Sequence, residues 1–452
     1  MRLDFHRIHL VGAGGAGMSA IAKVLAGMGH EVSGSDQRGG ATLDRLADFG
    51  ISTFAGHHPD VAIRADLVVA SSAVPDRDPE LVAAAEAGIP VWRRPDLLAA
   101  LTEDITTIGA TGTHGKTTTT ALLISALRAA GEDPSFILGG DLADWNTNGH
   151  HGTAPLLVIE ADEAFRTFEK LHLDGLVVTN VETEHLEHFG TDTDLLDAFV
   201  EVARRVTGPV VVCADDPGSR EVGRRAGSMT YGSDPEADWR MVDLIRHDGG
   251  TRFDLVGPSQ RVHVSLSRPG AHVARDAAGA LALLGAMGRD IGAAALGLAS
   301  FRGVGRRWEQ RGTVSGIVLV DDYAHHPTEV AATVEVAMDL AQGRVWAVFQ
   351  PHLYSRTALF HHEFAMALSR ADEVVVADVY GSREEPVPGV TGELVAESAR
   401  RLGANVHYVP HRADLAPFLA GRVEEGDLVL TMGAGDITLV PTELARLLAE
   451  RS

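Results

Sequence analysis

ITTIGATGTHGKTTTTALLISALRAAG, residues 105–131, reads as strand, glycine loop and helix in immediate succession. The β-branched run Ile105 to Ile108 supplies the strand, and the Ala/Leu-rich segment Ala121 to Ala130, stopped at Gly131, supplies the helix. Gly112, Thr113, His114 and Gly115 form the turn between them, followed by Lys116, Thr117 and Thr118. A loop of this kind directs successive backbone N–H groups at one point on the positive end of the helix, which favours a phosphate. Of the 39 basic residues only Lys23, Lys116 and Lys170 are lysines, so Lys116 marks a place that needs a compact point charge on a flexible stem. Thr117 is then placed to hold a magnesium ion beside the phosphates. The pattern G-x-x-x-x-G-K-[ST] is not met in full, because Ala110 occupies its first glycine position.

Outward from this loop, 452 residues exceed what one core fills and predict about three domains at ~150 residues each. The excess of acid, 62 Asp and Glu against 39 Lys and Arg, argues against nucleic acid or an anionic membrane as partner. Cys213 is the only cysteine, so no disulfide closes within the chain. It ends the apolar run Pro209 to Val212 and reads as core. There is no run of ~20 apolar residues and no signal-like hydrophobic start, which predicts a cytoplasmic protein.

The expected fold class is α/β, with three domains. A Rossmann-like N-terminal domain spans 1–102: strand His6 to Val11, then Gly12, Gly14 and Gly17 in G-x-G-x-x-G spacing, then a helix to Gly29 and a strand ending at Asp36. Gly14, Gly15 and Asp36 are its candidate contacts, with Ser71 and Ser72 after the strand Asp66 to Ala70. Taken alone this loop suits a nicotinamide dinucleotide as well as any nucleoside diphosphate. A central P-loop ATPase-type parallel sheet is expected over 103–311. In it, Leu156 to Ile159 delivers Glu160, Asp162 and Glu163, and Leu176 to Val181 delivers Glu182, Glu184 and His185. Carboxylates at neighbouring strand exits beside a phosphate loop suit magnesium. A Rossmann-like C-terminal domain is expected over 312–452, with strands at Ile317 to Val320, Arg344 to Phe349, Glu373 to Ala377, Val406 to Val409 and Asp427 to Thr431. Its chemically loaded exits are DDYAHHPTE (321–329) and FQPHLYSRT (349–357). Histidine doublets recur, but none has cysteines at zinc-site spacing.

Together with HLVGAGGAGMSAIA, VVASSAVPDRDPEL, TGTHGKTTT, EADE, TNVETEH and SFRGVGRRWE, these segments resemble the Mur ligase family over essentially the whole chain, most closely its alanine-adding branch. The resemblance implies ATP and Mg2+ as cofactors, UDP-N-acetylmuramate and L-alanine as substrates, and a monomer or homodimer. It implies an acyl phosphate formed on the substrate carboxylate and captured by the amino acid. Lys116 would then stabilise the transferring phosphoryl group, Thr117 and Glu160 would hold one metal ion, and His185 a second. His272 and Asp276 would meet the adenosine, and Arg306 would reach the phosphates. Arg356 would pair with the alanine carboxylate, with Tyr323, His325 and His352 around it. His326, before Pro327, reads as a cap or packing residue instead.

The chain departs from the family pattern at Ala164 to Lys170, which puts an added arginine and lysine near the metal site, at Glu182-Thr183-Glu184-His185, and at Asp276 where asparagine is common. No lysine follows Lys170, so a carbamylated-lysine metal ligand is absent or replaced. A murein tripeptide ligase-type enzyme or a divergent paralogue using another amino acid is the alternative.

Overall fold

The computed structural model describes residues 3–184, 186–247, 249–382 and 384–451, in two compact units, Met1–Arg302 and Gly303–Ser452. The first unit contains two sheets. Strands β1 (Arg7–Val11), β2 (Glu31–Asp36), β3 (Ser52–Ala55), β4 (Leu67–Ala70) and β5 (Val91–Arg93) are all parallel, in the order β3-β2-β1-β4-β5. Because the order reverses at β1, the loops leaving β1 and β4 open a crevice, and they carry the glycine triplet and Ser71-Ser72. Helix α1 (Ala16–Gly27) buries Ile21, Val24 and Leu25 completely in a core that this sheet shares with the second.

The second sheet has ten strands, ordered β15-β14-β13-β12-β11-β10-β6-β9-β7-β8. Its parallel heart is β6 (Thr106–Thr111), β7 (Ser135–Leu142), β9 (Leu156–Glu160), β10 (Gly175–Val178), β11 (Val210–Cys213), β12 (Met229–Gly232) and β13 (Trp239–His247). The expectation of a parallel sheet needs correction at both edges, because β8 (Thr147–His150), β14 (Gly250–Val256) and β15 (Arg261–Leu266) pair antiparallel. Strands β14 and β15 interleave polar residues with buried ones, and β8 is the polar run TNGH, so they lack the continuous apolar run that reveals a two-sided buried strand. Gly249, with φ +77° between β13 and β14, is the turn signal for that hairpin.

Helix α2 (Arg94–Glu103) leads into the second sheet, and α3 (Lys116–Ala129) follows β6. The alanine-rich α4 (Ala271–Ala286) buries nearly every residue from Val273 to Leu284 between α3 and the strands, its small side chains permitting close approach. Lys23 and Lys170, the lysines outside the phosphate loop, tie the two sheets together. The buried Lys23 ammonium donates to Asn148 Oδ1 at 2.8 Å and Thr147 Oγ1 at 3.3 Å, while Asn148 Nδ2 donates to Ala16 O at 2.7 Å. Lys170 reaches Asp96 Oδ1 at 2.6 Å.

The second unit has six strands, β16 (Glu309–Val314), β17 (Ile317–Asp322), β18 (Val345–Phe349), β19 (Glu373–Val376), β20 (Val406–Tyr408) and β21 (Leu428–Met432), ordered β16-β17-β21-β18-β19-β20. All pairs are parallel except β16 with β17. Sequence reading passed over β16 because an exposed edge strand of sequence EQRGTV carries no apolar periodicity. Asp322, Met432 and Phe349 stand in register, so the exits of β17, β21 and β18 lie side by side. Helices α5 (Pro327–Leu340) and α6 (Tyr354–Leu368) start from two of those exits.

Among the described residues no helix is long and apolar enough to cross a membrane. Cys213 is 1% exposed at the end of β11, and burial pushes its thiol up to about 11. Only the thiolate reacts, so a disulfide reagent at pH 8 is expected to leave the native protein unlabelled and to titrate one thiol once denaturant unfolds it. Rapid labelling of the native protein would show that this strand end opens.

Candidate active site

Three strand exits of the second sheet converge because β6 lies between β10 and β9. The loop after β6 is tied to the exit of β10. Thr113 N donates to Asn180 O at 3.0 Å, His114 N to Asn180 Oδ1 at 2.8 Å, and Thr179 Oγ1 to His114 O at 2.6 Å. Glu182 N and Thr113 Oγ1 are bonded at 2.8 Å. Gly112 has φ +132°, and a Cβ there would fall 2.1 Å from Thr179 Oγ1, so only glycine fits this turn. Gly115, with φ +78°, is the N-cap of α3, and Thr117 is buried in the first turn. Thr118 follows, half buried.

Lys116 curls back over this loop. Its Nζ donates to Gly112 O at 2.7 Å, Thr113 O at 3.1 Å and Glu163 Oε1 at 2.8 Å. Burial alone would favour loss of the ammonium proton, but Glu163, Asp162 and Glu184 outweigh it and hold the pKa above the ordinary lysine range. Glu160 ends β9 and accepts from Gly139 N at 2.6 Å. Burial raises its pKa, opposed by the Gly139 N–H, by Lys116 and by the Thr117 hydroxyl. Thr117 and Glu160 therefore form an adjacent pair of hard oxygen donors at the foot of α3, the ligand type that magnesium takes. His185, expected beside them, lies outside the described residues.

On α4, the Asp276 carboxylate faces the loop: a Cβ on Gly115 would fall 2.8 Å from Asp276 Oδ1. His272 stands one turn earlier, half buried. The unusual segment Ala164–Lys170 forms a 3-10 helix broken by Phe165 and Arg166, whose φ values of 55° and 54° are left-handed. Its added cations are engaged by their own acids: Arg166 pairs with Glu169 at 2.7 Å, and Lys170 with Asp96.

The first-sheet loop is built equally tightly. Gly12 N and Ala13 N both donate to Ser35 O, at 2.8 and 2.9 Å, and Gly14 N donates to Asp36 Oδ2 at 3.0 Å. Asp36 thus braces the glycine loop itself. Gly15 N returns to Gly12 O at 3.3 Å. Ser71 packs against Gly12, and the buried Ser72 Oγ has no hydrogen-bond partner among the described residues.

In the second unit, Tyr323, His325, His352 and Arg356 are neighbours. The Tyr323 and His325 rings meet edge to face at 5.1 Å, the His325 and His352 centroids lie 6.0 Å apart, and Arg356 Nη1 is 3.2 Å from His352 Nδ1. Glu329, one turn into α5, bonds the His325 N–H at 3.0 Å, and Tyr380 stacks on His352. His326 is the N-cap of α5, its Nδ1 accepting from Thr328 N at 3.4 Å. Arg306 donates to Gly433 O at 2.6 Å and Gly435 O at 3.3 Å, with its guanidinium over the Tyr323 ring. To serve a phosphate it must exchange those carbonyl contacts. Asn180 and Tyr380 escaped sequence reading because their roles depend on strands that pair far along the chain. The Asn in TNVETEH, directly after a buried strand, is the one signal that pointed to the first.

The model of the Mur ligase family catalytic domain matches residues 7–106, that of the Mur ligase middle domain 110–284, and that of the Mur ligase glutamate ligase domain 306–435. The chain is 45% identical to the UDP-N-acetylmuramate--L-alanine ligase of Kineococcus radiotolerans, over 98% of this chain and 97% of that one. It is 44% identical to the enzyme of the same name from Saccharopolyspora erythraea, over 97% and 92%. The crystal structure of the UDP-N-acetylmuramate-alanine ligase from Thermotoga maritima superposes with a TM-score of 0.85 at 29% identity, over 99% of this chain and 100% of that one.

Proposed function

This chain belongs to the Mur ligase family, and from that membership we propose that it joins L-alanine to the carboxylate of UDP-N-acetylmuramate at the expense of ATP, in peptidoglycan precursor synthesis. The observation that carries the reading is Lys116, held by two loop carbonyls and Glu163 at the crossing point of three strand exits.

A free carboxylate is a poor electrophile, so the reaction needs a leaving group. A carboxylate oxygen attacks the terminal phosphorus of ATP, the bond to ADP breaks, and an acyl phosphate forms. The alanine nitrogen lone pair then adds to the acyl carbon, the nitrogen loses a proton, and the C–O bond to phosphate breaks to leave the amide. Loop N–H groups from Gly112 to Thr118 and the start of α3 receive the phosphates. Lys116 neutralises charge on the transferring phosphoryl group. Magnesium, when bound, neutralises charge that would keep two anions apart; Thr117 and Glu160 would hold it, and His185 would hold a second ion. His272 and Asp276 are assigned to the adenosine. Gly14, Gly15, Asp36, Ser71 and Ser72 are assigned to the sugar nucleotide, and Tyr323, His325, His352 and Arg356 to alanine. Arg306 is assigned to the phosphates.

Phosphate release should require UDP-N-acetylmuramate, ATP, magnesium and an amino acid together. Against a panel of alanine, glycine, serine and the murein tripeptide, alanine is expected to give the highest kcat/KM. Preference for the tripeptide would move the chain to the recycling branch, and release without any amine would remove the ligase reading.

A further inference from the structure

The divergent segment Ala164–Lys170 holds two consecutive left-handed residues that are not glycine, Phe165 and Arg166, with φ of 55° and 54°. An L side chain is disfavoured there because its Cβ crowds the following carbonyl oxygen, and such strain persists only where the surroundings over-determine it. Anchors lie on both sides of the turn. Before it, Glu163 pairs with Lys116 Nζ at 2.8 Å. After it, Phe168 is completely buried with its ring edge to face on Phe199 at 5.1 Å, and Lys170 reaches Asp96.

Between those anchors the two strained residues grip a single element. The Phe165 and His188 ring centroids are 4.7 Å apart, and the Arg166 guanidinium stands 5.0 Å from the centre of the Phe189 ring while its Nη2 pairs with Glu169. Phe189 also meets Phe168 edge to face at 6.4 Å. His188 and Phe189 belong to the helix Leu186–Phe189, which is one turn long. A single turn does not hold itself in water, since fixing its backbone costs more than one hydrogen bond returns, so this helix stands where its side chains are packed. Phe165 is 42% exposed, so its place over His188 is not explained by burial in the core. Directly ahead of the helix come Glu184, one of the acids that keep the Lys116 ammonium protonated, and His185, the residue proposed to hold the second magnesium ion.

We propose that Phe165 and Arg166 are positioning residues: by clamping His188 and Phe189 they fix the helix that follows His185 and hold the backbone carrying that histidine ready for its metal ion. This rests on the reading that His185 is a metal ligand. Neither clamp residue meets the metal or the substrate itself. The departure of this segment from the family pattern is then a device that steadies the metal ligand from outside the site.

The test is Mn2+ binding to the whole protein in the presence of ADP, followed by the paramagnetic resonance of the free ion. It compares wild type with Phe165→Ala, Phe165→Tyr, Arg166→Gly, His185→Ala and the double variant Phe165→Ala/His185→Ala. Loss of a group that orients a metal ligand weakens metal binding by roughly 10- to 100-fold, and Phe165→Ala is expected at the lower end of that range, at the site that His185→Ala removes. Phe165→Tyr keeps the ring and should bind Mn2+ as wild type does. Glycine adopts the left-handed turn without strain, so Arg166→Gly should keep its thermal midpoint at or above wild type while its Mn2+ affinity falls. A merely structural role would move midpoint and affinity together. In the His185→Ala background the remaining Mn2+ binding should be insensitive to Phe165→Ala, because both changes act on one ligand. Wild-type Mn2+ affinity in Phe165→Ala and Arg166→Gly overturns the proposal. So does an equal loss in Phe165→Tyr, or a loss from Phe165→Ala that survives in the His185→Ala background. If His185→Ala itself binds Mn2+ as wild type does, the metal reading of His185 falls and takes this inference with it.

Discussion

Lys116→Ala is expected to lower turnover by at least about 1,000-fold, roughly 4 kcal/mol of transition-state stabilisation, while leaving UDP-N-acetylmuramate affinity within a few-fold of wild type. On the proposed mechanism the ammonium meets charge that develops on the transferring phosphoryl group, so its loss falls on kcat. On the same proposal the sugar nucleotide is held by the first sheet, so its affinity should not change. The substitution also deprives the buried Glu163 of its 2.8 Å ion-pair partner, which on its own destabilises by about 3–5 kcal/mol. The double variant Lys116→Ala/Glu163→Gln should recover much of that stability without recovering turnover. Single-turnover measurement of acyl-phosphate formation separates the two effects, and a double variant that regained activity with stability would strip Lys116 of its chemical role.

The second large effect is expected at the other end of the reaction. Arg356→Ala should raise the KM for alanine by roughly 30- to 100-fold, the worth of a lost charge-assisted fork, with kcat changed little. Arg356 is 9% exposed and lies in the first turn of α6, with Nη1 beside His352 Nδ1, so the fork is already aimed before any ligand arrives. Arg356→Lys keeps the charge but loses the planar geometry and should recover only part of the affinity. An unchanged KM in Arg356→Ala would place the carboxylate pocket elsewhere.

How much of this was legible beforehand depended on whether a feature is contiguous. Lys116, Thr117 and the glycines around them announce themselves within one strand–loop–helix unit, as do Gly12, Gly14 and Gly17. The strands of the second unit were read to within a residue or two because both faces are covered and the apolar runs are unbroken. The antiparallel strands β14, β15 and β16 were not, since Arg252 and Asp254 interrupt the apolar residues of β14, and β15 and β16 are exposed or half exposed along most of their length. The departure at Ala164–Lys170 adds two cations close in sequence to the expected metal ligands, and only the fold showed their partners, Glu169 for Arg166 and Asp96 for Lys170.

The order of residues by itself determined the α/β class, the two glycine loops, the lysine proposed to meet the phosphates and the family, because each is encoded in short stretches whose backbone conformation is local. Tertiary structure alone decided that Glu163 would neutralise Lys116, that Asp36 would brace Gly14, and that Arg94 would fill the space left by Gly17. Those partners come from different strand exits, and which exits become neighbours follows from strand order in the sheet, a long-range outcome of packing that no local pattern records.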